Sequence, residues 1–319
     1  MLEEAAEWMG LAERDAGSAE AFVADGPVFP NEQAAGPWSI YFGEAGVWFV
    51  SALVHNGVHD ADATADAIAR FCELAASCPA DALDAATGAA SLLLGASVLV
   101  EQLPLPLHER VKPVGDSLAR RLVDRASHRQ GPGFDAIRWL GAAHGWCGIA
   151  HAQLRWCQAT GTSPSSSLLA LLDSLRDARL ARGVWPRADD AADVWPGWCH
   201  GSAGWALLWC LAADVLRDDE LLELAEPPAV HALLDRSAGS SLCCGLAGQA
   251  YAGLTMYKAT AETTWLVHAR RLADVARRTP VGPDFPAHSL WGGDLGVALL
   301  NIELEDPARA AMPAYQAIA

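Results

Sequence analysis

A short glycine-led pattern, each time followed by an uninterrupted apolar run, recurs six times along the chain. Gly43-Glu-Ala-Gly46 leads into Val47-Trp48-Phe49-Val50, and Gly88-Ala-Ala-Ser91 into Leu92-Leu93-Leu94. Gly145-Trp-Cys-Gly148, Gly201-Ser-Ala-Gly204, Gly245-Leu-Ala-Gly248 and Gly293-Asp-Leu-Gly296 follow, the first glycines standing 45, 57, 56, 44 and 48 residues apart. Between them lie segments whose charges keep to one side: Ala61–Ser77, Leu107–Ser127, Ser165–Arg179, Glu220–Leu234 and Glu262–Arg278. In the last, Trp265, Val267, Leu272 and Val275 mark an apolar side, with Arg270, Arg271 and Arg277 elsewhere. That periodicity is helical. Each repeat therefore predicts a charged outer helix followed by an uncharged inner helix that starts at the glycine motif.

Hairpins of this kind cannot bury their inner faces alone, and closing them into a ring does so. Glycine lets the helix starts crowd near the axis of such a ring. The fold class read from the pattern is all-α: an α/α toroid of about six to seven helical hairpins in a single domain, 1–319. Residues 1–37 stand apart as an amino-terminal segment in which no repeat is legible. An open solenoid is the alternative. It would need polar capping repeats, and the last run, Leu295–Leu300, is as apolar as the middle ones.

Composition agrees with a large buried interior, since 52% of the 319 residues are hydrophobic and 19% charged. Lys+Arg 22 against Asp+Glu 39 gives a net charge of −17, which repels phosphate backbones and argues against nucleic acid as a partner. The acids crowd the first 90 residues, where only Arg14 and Arg70 oppose them, while His108–Arg138 is basic. That stretch is either a solvated outer helix face or a dock for an acidic leader peptide or partner enzyme. Val194–Ala213 and Ser237–Tyr257 carry no Asp, Glu, Lys or Arg, and their length alone fits a spanning helix. Both become strongly apolar only in their second halves, so the expectation is buried helices and no membrane span. The acidic start, Met1 to Glu7, lacks the basic-then-apolar signal pattern and points to the cytoplasm. There the eight cysteines stay reduced, as buried hydrophobes, metal ligands or catalytic thiols.

If the glycines start inner helices, the residues just before them line one end of a central cavity, toward which the positive helix ends point. Positions −2 and −1 hold Tyr41-Phe42, Ala86-Thr87, Ala143-His144, Cys199-His200, Cys243-Cys244 and Trp291-Gly292. Metal-capable side chains thus fall in three successive repeats. Cys199, Cys243 and Cys244 can supply three thiolates to a zinc ion and leave a fourth position open, the arrangement of a catalytic site. A pair of buried small residues beside an unrelated cysteine is the bland alternative, and His200 could replace one thiolate. His144 is the first candidate acid or base, because an imidazole titrates near neutral pH; a buried histidine bonded to backbone is the other reading. Asp84, four residues before Gly88 where other repeats carry Ser or Gly, either serves proton transfer or caps a helix. Cys147 and His151 read as core, as do Cys72, Cys78, Cys157 and Cys210. Trp195 and Trp198 could line a peptide cleft.

These motifs resemble those of the lanthionine synthetase C-like cyclases. The resemblance rests on Trp198-Cys199-His200-Gly201, Leu242-Cys243-Cys244-Gly245, Ala143-His144-Gly145 and Leu83-Asp84, and on the tail from Ser289-Leu290-Trp291 to Met312-Pro313. It spans roughly residues 38 to 315. It implies an α/α toroid with central zinc, here of the three-cysteine variety, that adds peptide cysteines to dehydroalanine or dehydrobutyrine and forms thioether rings. His144 matches the family's active-site histidine and Asp84 its Tyr-Asp motif. The substrate would be a dehydrated precursor peptide made by separate dehydrating enzymes of kinase or lyase type. No phosphate-cradling glycine motif is visible, so no nucleotide cofactor is expected.

The chain also departs from that pattern. His200 stands where the family has Tyr, and Trp195 where it has Arg, the nearest arginine being Arg187. Six repeats are legible where seven are usual. His200 is accordingly a candidate proton donor in the tyrosine's place. The departures favour a second reading, a non-catalytic zinc or thiol-peptide binding partner within a lanthipeptide-modifying complex. A third, carbohydrate-active toroid would need paired carboxylates, for which only Asp84 and Asp294 offer themselves.

Overall fold

Backbone crowding explains why glycine opens the inner helices. A Cβ on Gly148 would stand 1.9 Å from the carbonyl oxygen of Ala142, and one on Gly248 would stand 2.0 Å from that of Leu242. At these two positions the helix start lies tightly against the turn that precedes it, so even alanine would force the two apart.

The computed structural model describes residues 1–17, 36–126, 137–237, 239–281 and 288–317. Among them, twelve α-helices alternate between an outer and an inner layer: α1 (Leu2–Asp15), α2 (Glu44–Gly57), α3 (Ala61–Ser77), α4 (Ala89–Gln102), α5 (Leu105–Ala126), α6 (Trp146–Thr160), α7 (Ser166–Asp177), α8 (Ser202–Leu216), α9 (Leu222–Leu234), α10 (Leu246–Thr260), α11 (Thr263–Ala276) and α12 (Leu295–Glu303). The even-numbered helices are the inner ones. They follow Gly43, Gly88, Gly145, Gly201 and Gly245 directly, and α12 starts two residues after Gly293. α4, α6, α8 and α10 are buried nearly all round, whereas outer helices bury one stripe, as α11 does with Leu266, Ala269, Leu272, Ala273 and Ala276. Val267, assigned above to the apolar side, is exposed, because the buried stripe runs one residue out of step with it.

A ladder of backbone hydrogen bonds ties the turns at one end. The amides of Ala86, Ala143, Cys199 and Cys243 donate to the carbonyls of Ala143, Cys199, Cys243 and Trp291, at 2.9, 2.9, 3.1 and 2.9 Å. All these residues hold the −2 position of their repeats, so the ladder runs from the second repeat to the sixth, and the Ser39 hydroxyl of the first donates to the Ala86 carbonyl of the second. The Tyr41 ring, at −2 of the first repeat, meets the Trp291 ring of the last at 4.8 Å. First and last turns therefore touch, and the fold is an α/α toroid rather than an open solenoid.

The chain after α12 folds back under this ring. Met312 and Tyr315 are fully buried, and Tyr315 packs edge-on against Trp198 at 5.1 Å. Trp198 is in turn tilted over Trp291 at 4.6 Å. Farther out, Trp185 stacks on Trp205 at 4.5 Å. The uncharged stretches became α8 and α10, each of 15 residues, and no helix among the described residues is long and apolar enough to cross a membrane. Arg110, Arg120 and Arg125 stand exposed on α5, while Ser127 and Arg129 of the basic stretch lie outside the described residues. α1, inside the segment where no repeat was legible, packs on α2 and brings Glu13 to Ser51 and His55.

Candidate functional site

The positive ends of the inner helices and the turns before them surround one mouth of the toroid. Asp84 lies in the turn before α4. Its Oδ1 accepts hydrogen bonds from the amides of Ala86 and Thr87, at 3.0 and 2.6 Å, and from the Thr87 hydroxyl at 3.0 Å. Its Oδ2 lies 3.2 Å from Nδ1 of His144, in the turn before α6. Asp84 thus braces its own turn and orients a histidine of the next repeat, so both sequence readings hold in one side chain, although the helix cap itself is Gly88. Burial pushes this carboxyl upward, but the hydrogen bond and charge of His144, with the Thr87 donors, carry it below the ordinary carboxylate value. A carboxylate acceptor fixes the proton on Nδ1 of His144 and leaves the basic lone pair on Nε2.

His200 stacks on His144, with centroids 5.5 Å apart and planes at 29°. Burial, then the neighbouring charges of His144 and Arg187, pull its pKa down to about 4, so at neutral pH its ring is uncharged. Its Nδ1 is buried without a partner. Trp139 lies 5.0 Å from the His200 ring and Trp195 6.2 Å. The Arg187 guanidinium sits over both indoles, 5.5 and 5.3 Å from their centroids, and lies 2.8 Å from Asp193.

The three cysteines come together in the two turns beyond. Cys199 is buried, Cys243 partly so and Cys244 exposed. Hydrogen bonding to Cys199 and to Cys244, with burial behind it, holds the Cys243 thiol well above its ordinary value. Three sulfurs this close repel one another once they ionise, and a divalent cation relieves that repulsion. The donor set therefore suits zinc. Among the described residues no three such side chains stand as a finished coordination shell, so an ion would have to draw these sulfurs inward.

Other assignments shift. Of the two tryptophans that could line a cleft, Trp198 is core, 3% exposed, because it fills the axis above Tyr315, and Trp195, at 42%, is the one at the mouth. Cys147, Cys78 and Cys210 are core as read, whereas Cys72 and Cys157 are half-buried. Asp294 is paired with His288 at 3.2 Å on an exposed face and Asp84 with His144, so each candidate carboxylate has a separate partner. Trp139 escaped the sequence reading, and Arg187 entered it only as the arginine nearest a departed family position, without a role at the site. Trp139 and Trp195 both stand six residues before a motif glycine, a shared register that could have revealed the first. Arg187 comes from a loop outside the repeat pattern and carries no such mark.

His151 is wholly buried on α6, as read, and its pKa is pushed down to about 3 by burial. The unfolded chain, with an ordinary histidine near 6.5, binds more protons below that pH, so stability falls as pH drops from about 6.5 toward 3. Urea unfolding of His151→Gln should give an acid limb shallower than wild type by up to about 1.4 kcal/mol per pH unit. Equal limbs would contradict the assignment.

Comparison with known proteins agrees with this fold. The solved structure of nisin cyclase superposes with a TM-score of 0.54 at 14% identity, covering 96% of this chain and 93% of that one, and so shares the fold. Glutathione S-transferase LANCL1 of Danio rerio is 30% identical over 188 residues, which are 56% of this chain and 46% of that protein. The match thus spans about half the length of that curated relative. The sequence profile of the lanthionine synthetase C-like proteins matches residues 30–316, and the chain belongs to that family.

Proposed function

We propose that this protein is a lanthipeptide cyclase, joining peptide cysteine thiols to dehydroalanine or dehydrobutyrine and closing lanthionine or methyllanthionine rings. The observation that carries the reading is the Asp84–His144–His200 array facing the same mouth as the clustered sulfurs of Cys199, Cys243 and Cys244. Those three cysteines would hold Zn2+. Bound there, the ion would let an incoming thiol ionise near neutral pH while three anionic ligands keep its sulfur nucleophilic.

The chain's own residues handle the proton. His144, with Nδ1–H held by Asp84, takes the thiol proton on Nε2. A carbon–sulfur bond forms at the β-carbon as the alkene pair moves onto the carbonyl as an enolate. His144, now an imidazolium stabilised by the Asp84 carboxylate, returns the proton to the α-carbon. His200 is neutral at working pH and contributes an N–H to the mouth rather than a competing charge. Trp139 and Trp195 offer apolar faces to the peptide. Substrate, on this reading, is a precursor already dehydrated by separate enzymes.

A dehydrated peptide with free cysteines should lose thiol titre at unchanged mass. A peptide that binds and keeps its thiols would favour the second reading, a non-catalytic zinc or thiol-peptide binding partner, which Trp195 and His200 at the family's Arg and Tyr positions support. Glutathione offered instead of a peptide cysteine is the informative control, given the name of the LANCL1 relative.

A further inference from the structure

At the other end of the toroid, toward the carboxyl ends of α6, α8 and α10, a cavity of about 230 Å³ opens beneath the carboxyl-terminal tail. His151 and Leu207, the lining residues nearest the sulfurs, stand in the second turns of α6 and α8, so about 8 Å of helix separates the cavity from the turns that carry the cysteines. Its polar wall holds His151, Asp214, Lys258 and Gln316, and its apolar wall Leu207 and Leu211.

The charges on its wall make it more than a packing defect. The His151 Nε2 lies 2.9 Å from the Tyr315 carbonyl, which can only accept, so Nε2 carries the proton and Nδ1 is a lone pair. That Nδ1 is buried with no partner, in a side chain 1% exposed, so His151 contributes its ring to the wall and not that lone pair. Charges of both signs also face the space. Lys258 gives one proton to the Ala310 carbonyl and keeps two, while Asp214 takes only the Gln158 amide at 2.7 Å. Arg155 is spent on Glu101, at 2.8 and 2.7 Å, and on Gln158. Helix carboxyl ends add a negative potential that favours an ammonium.

We propose that this cavity is a second binding site, separate from the thiol mouth, for a small zwitterion of the free amino-acid class. The ammonium of the ligand goes to Asp214, its carboxylate to Lys258, and its side chain to Leu207 and Leu211. The site does not depend on the cyclase reading. Because Gln316 is in its wall, occupancy bears directly on the tail.

Calorimetric titration with L-alanine tests this on the whole protein. Saturable binding is expected, weakened at least about tenfold by Asp214→Asn, with acetate and ethylamine each failing to compete. Asp214 is exposed, so this variant leaves the core untouched. The Gln316 side-chain amide resonances should shift as the site fills. No saturable binding at millimolar L-alanine, or binding equal in Asp214→Asn, would overturn the proposal.

Discussion

Replacing Cys243 with alanine is expected to empty the protein of zinc and to lower thioether formation by at least about 10²-fold, since removing even a residue that merely supports a metal ligand commonly costs tenfold to 10²-fold. Cys243 is the middle sulfur of the three, hydrogen-bonded to both Cys199 and Cys244. Without it two thiolates remain in adjacent turns, too few to retain the ion against solvent. Neighbouring structure should survive, because the Cys243 amide and carbonyl, which bond to Trp291 and Cys199, are backbone groups present in alanine too. Metal analysis of the purified variant and thiol titration of a dehydrated peptide read the two consequences separately. Cys210→Ala is the control: that thiol is buried beside Met256, toward the opposite end of α8, and its loss should change neither reading. Zinc lost with cyclisation at full rate would mean that the sulfurs hold a structural ion and that the reaction is carried elsewhere.

The helical alternation was legible because α4, α6, α8 and α10 are buried nearly all round and outer helices such as α3 and α11 on one side, a contrast written directly into the positions of charge. α3 was readable to its last residue for this reason. Sequence was mute where one side chain meets another repeat. Nothing local distinguishes Trp198, which props the axis, from Trp195, which faces the mouth, since both flank the same cysteine. Asp84 likewise read equally as a cap or as a partner for catalysis, and only the arrival of His144 from 60 residues away shows that it braces a turn and a histidine together. Arg187 illustrates the same limit: its loop follows no repeat, and stacking between Trp139 and Trp195 is a property of the folded ring alone. The tail after α12 could be matched to a family pattern, yet its burial beneath Trp198 follows from the space that six inner helices leave at their centre.

His144→Ala is expected to separate chemistry from metal binding. Its imidazole contacts Asp84 and His200 and takes no part in the sulfur cluster, so zinc content should stay at the wild-type level. Turnover should fall by about 10²–10⁴-fold, the range carried by a positioned acid or base. Peptide affinity should change little, which places the loss in kcat rather than KM. Asp84→Asn should share the defect in part. The amide can still brace Thr87 through its oxygen, but it no longer stabilises an imidazolium, so the intermediate in which His144 holds the thiol proton rises in energy. Since Asp84 carries its charge down to a pH below the ordinary carboxylate range, wild-type activity should not fail at the pH where free aspartates titrate. A His144→Ala enzyme that cyclises at the wild-type rate would leave zinc-bound thiolate as the whole of the catalysis, with the proton delivered by water.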